Sequence, residues 1–400
     1  MTDKHSIRIL AINRGSSSLK FAIYDMGHSE TLVLSGGIDK LDSSTCFFHV
    51  RYANGKNLVD EQLNLTHKNG VIKTFLTWLK GNVSDKKLEA IGYRVVHGST
   101  KFNQPHLITP ELITSLKEIV PFAPDHLPQE IRLIEAVGKA YPTSKHVACF
   151  DTAFHRSMPG IAQAFALPRF LRNQGVIRYG FHGLSYDFIM NELKKETGTE
   201  VANGKVIIAH LGSGASMAAV RRGKSVETTM GFTPASGLMM STRSGDLDPG
   251  IILYLLEQQG LSSSSVREML NKQSGLLGVS GLSSDMEELL EKAENSHAAE
   301  AVELFCYQAK KFMGALAAVL GGLDTLVFTA GIGENSPVIR WRICKDMNYL
   351  GISLDRSRND VNAPIISYEN SPVTVRVMKT NEELMIARDT RDITQFGKGE

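Results

Sequence analysis

Two stretches far apart in the chain carry one pattern, and any fold has to accommodate both. "ILAINRGSSSLKFAIYD" (9–25) and "IIAHLGSGASMAAVRRG" (207–223) each read as an apolar strand, a polar residue, one further residue, Gly-Ser, a small pair and a second apolar run. Asn13 corresponds to His210, Gly15 to Gly212 and Ser16 to Ser213; Ser18 corresponds to Ser216 after a one-residue slip. Apolar runs joined by a short glycine-serine turn predict antiparallel hairpins. Their repetition predicts two related lobes, each opening on such a hairpin. Glycine-serine turns between strands are common in unrelated chains, so the pattern alone leaves coincidence open.

Elsewhere, strand-length apolar runs such as "LEAIGYRVVH", "HVACFD", "TLVFTA" and "VTVRVMKT" alternate with helical patterns over 111–120, 128–140, 263–272, 285–320 and 336–347. That alternation predicts an α/β architecture with substantial sheet. The strand runs finish on Asn13, His97, Asp151 and His210, and open α/β sheets bind ligands beyond the carboxyl ends of their strands. The 400 residues suffice for two or three domains at ~100–200 residues each.

Lys+Arg 44 against Asp+Glu 42 leaves a charge of +2, which supplies no field to attract nucleic acid or an anionic membrane. No apolar run approaches the ~18 residues of a membrane-spanning helix, and the N-terminus lacks a small-residue cleavage site. Cys46, Cys149, Cys306 and Cys344 are scattered, which argues against a disulfide framework or zinc site and for a reducing compartment. A cytoplasmic protein is expected.

Several stretches carry chemistry. The Gly-Ser turn at 15–18 offers backbone N–H groups and hydroxyls suited to phosphate oxygens, yet it matches neither nucleotide-binding glycine fingerprint and reads equally as a plain turn. "FTAGIGENSPVIRWRI" (328–343) predicts a strand, a Gly-x-Gly turn, and a helix capped by Ser336 with Pro337 in its first turn. Glycines there allow close approach of a flat or anionic ligand. Arg94 sits among apolar residues and Arg243 in a glycine-rich loop; each suits bidentate capture of a carboxylate or phosphate, or a structural ion pair. Histidines fall in loops at 97, 126, 155, 182 and 210 without metal-ligand spacing. Asp151 suits either Mg²⁺ or the cap of a turn. In "MKTNEELMIARDT", Thr380 and Glu383 form a capping box that leaves Glu382 free for Mg²⁺.

Taken together, "INRGSSSLKF", "RVVHG", "FDTAFH", "RYGFHG", "AHLGSGAS", "ETTMGFTP", "SGLLGVSGLSSD", "FTAGIGENS" and "TNEELMIAR" resemble the acetate kinase family, within the acetate and sugar kinase, heat-shock chaperone and actin superfamily. The resemblance runs from residue 12 to 388. It implies two duplicated ribonuclease-H-like domains of the actin-like ATPase kind with an active-site cleft between them. The N-terminal lobe would span 1–150 plus 383–400; the lobe at 151–382 would carry nucleotide binding and dimerisation.

It further implies a homodimer and reversible Mg²⁺-dependent transfer of the ATP γ-phosphoryl group to acetate, with Mn²⁺ as a possible substitute. By resemblance, Asp151, Arg94, Arg243 and His182 are catalytic. Arg94 with Val96, Phe181, Pro234 and His126 binds the carboxylic acid. Ser16, Ser18, Lys20, His210, Gly212, Ser213, Gly214, Asp285, Gly331, Ile332, Gly333 and Asn335 bind nucleotide, although Lys20 read by itself is a solvated strand residue. Asn13 and Glu382 lie at the metal. Arg94→Ala and Arg243→Ala are each expected to fold normally and lose most turnover.

The chain departs from the family's usual residues at Tyr93, Asp125, Tyr186, Ser213 and Glu287; Asp125 bears on acyl preference and Glu287 on nucleotide preference. The rival readings are a propionate or butyrate kinase, a sugar or glycerol kinase of the same superfamily, and a non-catalytic ATP-binding relative.

Overall fold

In a computed structural model, residues 6–15, 17–41, 45–64, 68–84 and 87–396 are described. The first of two units comprises Met1–Ala153 and Asn381–Glu400. Its strands are β1 (Ile7–Arg14), β2 (Ser18–Met26), β3 (Glu30–Asp39), β4 (Thr45–Tyr52), β5 (Asn57–Asn64), β6 (Ala90–Val95), β7 (His106–Leu107) and β8 (Lys145–Phe150), in the sheet order β5-β4-β3-β2-β1-β6-β8-β7. β1 through β5 pair antiparallel, whereas β1–β6 and β6–β8 pair parallel. Ile9 to Ile12 of β1 are all buried, as expected of a central strand covered on both faces. The helix Glu382–Phe396 packs on β1, β2, β6 and β8. Its approach requires Gly92 of β6, where a Cβ would come within 2.1 Å of Thr390 Oγ1.

The second unit is Phe154–Thr380, with β9 (Lys205–Leu211), β10 (Ala215–Arg221), β11 (Lys224–Thr228), β12 (Thr325–Thr329) and β13 (Thr374–Val377) in the order β11-β10-β9-β12-β13. β9, β10 and β11 pair antiparallel; β9–β12 and β12–β13 pair parallel. This is the ordering of β3-β2-β1-β6-β8 in the first unit, strand for strand. Duplicated topology therefore accounts for the repeated stretches: each is the first hairpin of its sheet.

Register corrects one correspondence. In the first hairpin Asn13 faces Lys20 and Arg14 faces Leu19; in the second His210 faces Ser216 and Leu211 faces Ala215. Lys20, not Ser18, is thus the counterpart of Ser216. The extra residue lies in the first turn, closed by Gly15 N donating to Ser18 O, against Gly212 N donating to Gly214 O.

The division also differs from the expected 150 and 383. Asp151 and Glu382, expected in the second lobe, belong to the first unit. Asp151 N donates to Val95 O, extending the β6–β8 ladder, and Glu382 begins the helix packed on that sheet. The pattern over 285–320 is two helices, Met286–Glu291 and Ser296–Leu320, because Asn295 Oδ1 caps the second by accepting from His297 and Ala298 N–H. Among the described residues, no helix is long and apolar enough to cross a membrane.

Candidate functional site

In the first unit, parallel β6 and β8 place Arg94 and Asp151 side by side at their carboxyl ends. Arg94 Nη2 donates to Asp151 Oδ2 at 2.7 Å and Nη1 to the carbonyl of Arg14 at 2.8 Å. The guanidinium side chain is only 12% exposed and the Asp151 carboxylate 1%. Burial pulls the Arg94 pKa down, but Asp151 and then Glu130 outweigh it and the net shift is upward. At the end of β1, Asn13 Nδ2 donates to Glu382 Oε2 at 2.8 Å and to Glu383 Oε1 at 3.0 Å.

The expected capping box is therefore absent. Asn381 Oδ1 caps the helix by accepting from Leu384 N, and Glu383 joins Glu382 against Asn13. Thr380 instead donates its N–H to Glu334 and shares a hydroxyl bond with Ser185.

In the second unit, the turn of the β9–β10 hairpin is the meeting point. A Cβ on Gly214 would lie 3.2 Å from His182 Nε2 and 3.7 Å from Arg243 Nη1. A Cβ on Gly212 would lie 3.5 Å from Ala330 Cβ. Of these approaches only that of His182 to Gly214 is tighter than ordinary contact, so Gly214 is the position where a side chain would press on His182. Arg243 Nη1 donates to the carbonyl of Pro234 at 3.1 Å, and Ser241 N donates to Ser213 O.

His182, at φ 59°, precedes the helix Gly183–Thr197. Its Nδ1 shares a 2.8 Å hydrogen bond with Ser216 Oγ, which in turn bonds the Tyr186 hydroxyl. His182 stacks on His210 with centroids 4.1 Å apart, and His210 Nδ1 bonds Ser185 Oγ. Ser185, Tyr186 and Ser216 were not singled out as site residues from sequence. The register pair His210–Ser216 was the signal that could have found Ser216.

"AGIGEN" is not a turn but the short helix Ala330–Asn335, with Ala330 at φ 65°. Glu334 Oε1 accepts from Ala330 N, closing it. Gly331 has open space where a Cβ would stand, and Gly333 packs near the Ala209 carbonyl; Ile332 is half-buried and Asn335 exposed. Pro337 does begin the next helix, but Ser336 makes no side-chain cap bond.

Of the remaining expected residues, Val96 and Phe181 are buried, Pro234 and Ser18 are half-buried and Lys20 exposed. Ser16 lies outside the described residues. His126 is half-buried at the start of helix Leu127–Ala140 without capping it through its side chain. Asp285 Oδ1 accepts from Glu287 and Glu288 N–H and caps its own helix. His97 and His155 are core residues: His97 Nδ1 accepts from Ser99 N, and His155 Nε2 bonds the Phe181 carbonyl.

The departures from the family's usual residues also have places. Tyr93 is buried, and its hydroxyl bonds His146 Nδ1. Asp125 and Glu287 are exposed, so Asp125 adds no buried charge.

Glu382, with Asn13 beside it, is the first unit's candidate to hold a hard cation. Burial pushes the Glu382 carboxyl up, Asp151 pushes it further, and Arg94, Asn13 and Lys20 pull it down. Buried carboxylates that raise one another's pKa gain from a divalent ion between them. Among the described residues no group of three His, Cys, Asp or Glu is arranged to hold a metal ion. Mg²⁺ commonly takes one or two protein carboxylates and completes its shell with water and phosphate oxygens.

The chain is similar to known proteins over nearly its whole length. The profile of the Acetokinase family matches residues 8–388. An acetate kinase of Rhodopseudomonas palustris (strain TIE-1) is 45% identical over 397 residues, covering 98% of this chain and 99% of that one. The crystal structure of Porphyromonas gingivalis acetate kinase superposes with a TM-score of 0.86 at 38% identity, covering 97% of this chain and 100% of the other. That of a propionate kinase from Francisella tularensis superposes with a TM-score of 0.89 at 36% identity, covering 96% and 99%. With the family profile spanning nearly its whole length over two sheets of one duplicated topology, the chain belongs to the acetokinase family.

Proposed function

We propose that the protein is an acetate kinase, transferring the γ-phosphoryl group of ATP directly and reversibly to acetate to give acetyl phosphate and ADP. Family membership over residues 8–388 carries the reading, and the side chains supply what the chemistry requires. A carboxylate is already nucleophilic near pH 7, so no general base is needed. The obstacle is repulsion between two anions in a largely electrostatic transfer.

Arg94, held by Asp151 and the Arg14 carbonyl, and Arg243, held by Pro234, offset that repulsion. They stabilise charge on the transferring group. His182, when its Nδ1 accepts from Ser216, holds a proton at Nε2 for a phosphoryl oxygen. Val96 and His126 of the first unit, and Phe181 and Pro234 of the second, are assigned to binding the acid, and Asp151 orders the attacking carboxylate through Arg94. Phosphate binding is assigned to the Gly212–Gly214 turn and His210 in the second unit, and in the first to Ser18, Lys20 and, by family resemblance, Ser16. Gly331, Ile332, Gly333, Asn335 and Asp285 form the nucleotide edge. Glu382 with Asn13 would hold Mg²⁺, which supplies charge neutralisation at the phosphate oxygens.

The helix Pro249–Glu257, "PGIILYLLE", has no buried residue, and Ile251, Leu253 and Tyr254 are 44%, 54% and 53% exposed. An apolar helix left bare suits an interface, and we assign it to a homodimer. The four unbridged, buried cysteines suit the reducing cytoplasm.

The test is ATP formation from ADP and acetyl phosphate, followed by luminescence. Mg²⁺-dependent ATP supports the reading; none at any metal concentration contradicts it. Propionyl and butyryl phosphate in the same assay decide acyl preference, because one methylene discriminates by only ~1–3 kcal/mol.

A further inference from the structure

Glu130 is a fully buried carboxylate with no part in the mechanism above. It lies on the apolar stripe of helix Leu127–Ala140, beside buried Leu127, Ile131 and Ile134. Its Oε2 accepts from the Val96 N–H at 3.0 Å, and its Oε1 stands 3.9 Å from Arg94 Nη1. The first contact is a hydrogen bond to the wall of the proposed acyl pocket. The second is too long for one, and Arg94 is already fixed by Asp151 and the Arg14 carbonyl. Glu130 therefore bears on Arg94 through charge rather than geometry.

The groups facing it are Arg94 of β6, Asp151 after β8 and Arg14 at the end of β1. Arg14 is itself buried, with an Nη1 that has no hydrogen-bond partner; burial lowers its pKa, Glu130 opposes that, and Arg132 of the Glu130 helix adds to the lowering.

We propose that Glu130 is a positioning residue that sets affinity for the carboxylate substrate. Its negative charge offsets part of the Arg94 charge while its Oε2 holds the Val96 backbone. This rests on the acetate kinase reading and deepens it. Ionised Glu130 leaves less net positive charge for an incoming carboxylate; neutral Glu130 leaves more. Burial raises its pKa to about 7, against the pull of Arg94 and the Val96 N–H, with Asp151 adding to the rise and Arg14 opposing it. Acetate affinity should then weaken as pH rises through neutrality, a range in which acetate itself stays ionised.

The test is Glu130→Gln, whose amide oxygen still accepts from Val96 N–H. In the full-length enzyme with saturating Mg·ATP at pH 8, KM for acetate falls about three- to tenfold while kcat moves by less than about twofold. Between pH 6 and 8, KM rises in the unaltered enzyme and stays flat in the variant. An unchanged or raised KM, or the same pH slope in both, overturns the proposal.

Should the variant fail to fold, calorimetric titration of the unaltered protein with acetate at pH 7 decides, using buffers of different ionisation heat. Net proton uptake supports the proposal and none overturns it. Failure of the unaltered enzyme to make acetyl phosphate would overturn the kinase reading itself.

Discussion

Asn13 turns its amide nitrogen onto Glu382 and Glu383 together, at 2.8 and 3.0 Å. Burial raises the pKa of both carboxyls, and each is pushed further by an acidic neighbour: Glu382 by Asp151, Glu383 by Glu382. Glu383 is therefore part of the acidic cluster and not of a helix cap. Glu383→Gln should raise the Mg²⁺ concentration needed for half-maximal rate and leave the melting temperature nearly unchanged. Asn381→Ala should do the reverse, costing about 1 kcal/mol of stability. Activity against Mg²⁺ and thermal melts of both variants separate the two roles.

Arg94 and Arg243 were expected to be replaceable without harm to folding, and the structure separates them. Arg94→Ala leaves Asp151 and Glu130 buried around a missing cation, which should cost about 3–5 kcal/mol. Arg243 is half-buried and donates to a neutral carbonyl, so Arg243→Ala should melt near the unaltered protein. Loss of an arginine serving a transferring phosphoryl group costs about 10³–10⁵ in rate. Arg243→Ala should show that loss in kcat with a normal melt; near-normal kcat removes Arg243 from the chemistry.

Glu130 links stability to pH. Its carboxyl ionises near 4.5 when unperturbed and near 7 in the fold. The stability this shift contributes is complete below about pH 4.5 and is lost as pH rises through about 7. Glu130→Gln does not titrate. Its stability relative to the unaltered protein should improve by a few kcal/mol, on the order of 3, between pH 4.5 and 8. Denaturant unfolding at both pH values measures the difference, and a pH-independent difference contradicts it.

Leu253→Glu puts a charge on the bare face of Pro249–Glu257. Light scattering should find the unaltered protein dimeric and the variant shifted to monomer with an unchanged melting profile. A dimer that survives the substitution removes this helix from the interface.

Much of the fold was legible because it repeats. The hairpins at 9–25 and 207–223 announced the two sheets through strand-turn-strand patterning, a local signal. Strand β5, "NLVDEQLN", is not legible as a strand because it is largely exposed and carries no apolar run. Asn13, Arg94 and Arg243 stand out for their settings in sequence, whereas His182 is one of five loop histidines and takes its role from the family resemblance. Glu383 was misread because Thr380 and Glu383 have capping-box spacing while tertiary contacts claim both side chains. Ser185, Tyr186 and Ser216 act through contacts that the sheet register and a neighbouring helix create, and sequence spacing does not carry those. Glu130 left a trace: a carboxylate in the apolar stripe of "LPQEIRLIEAV".

Phosphorylation of a carboxylate is the step on which every other role assigned to this chain depends. Incubating the protein with Mg·ATP, acetate and hydroxylamine, and measuring acetohydroxamate, tests it directly. Hydroxamate should require ATP, acetate and Mg²⁺ together and fall by at least about a thousandfold in Arg243→Ala. No hydroxamate from acetate, propionate or butyrate would contradict it.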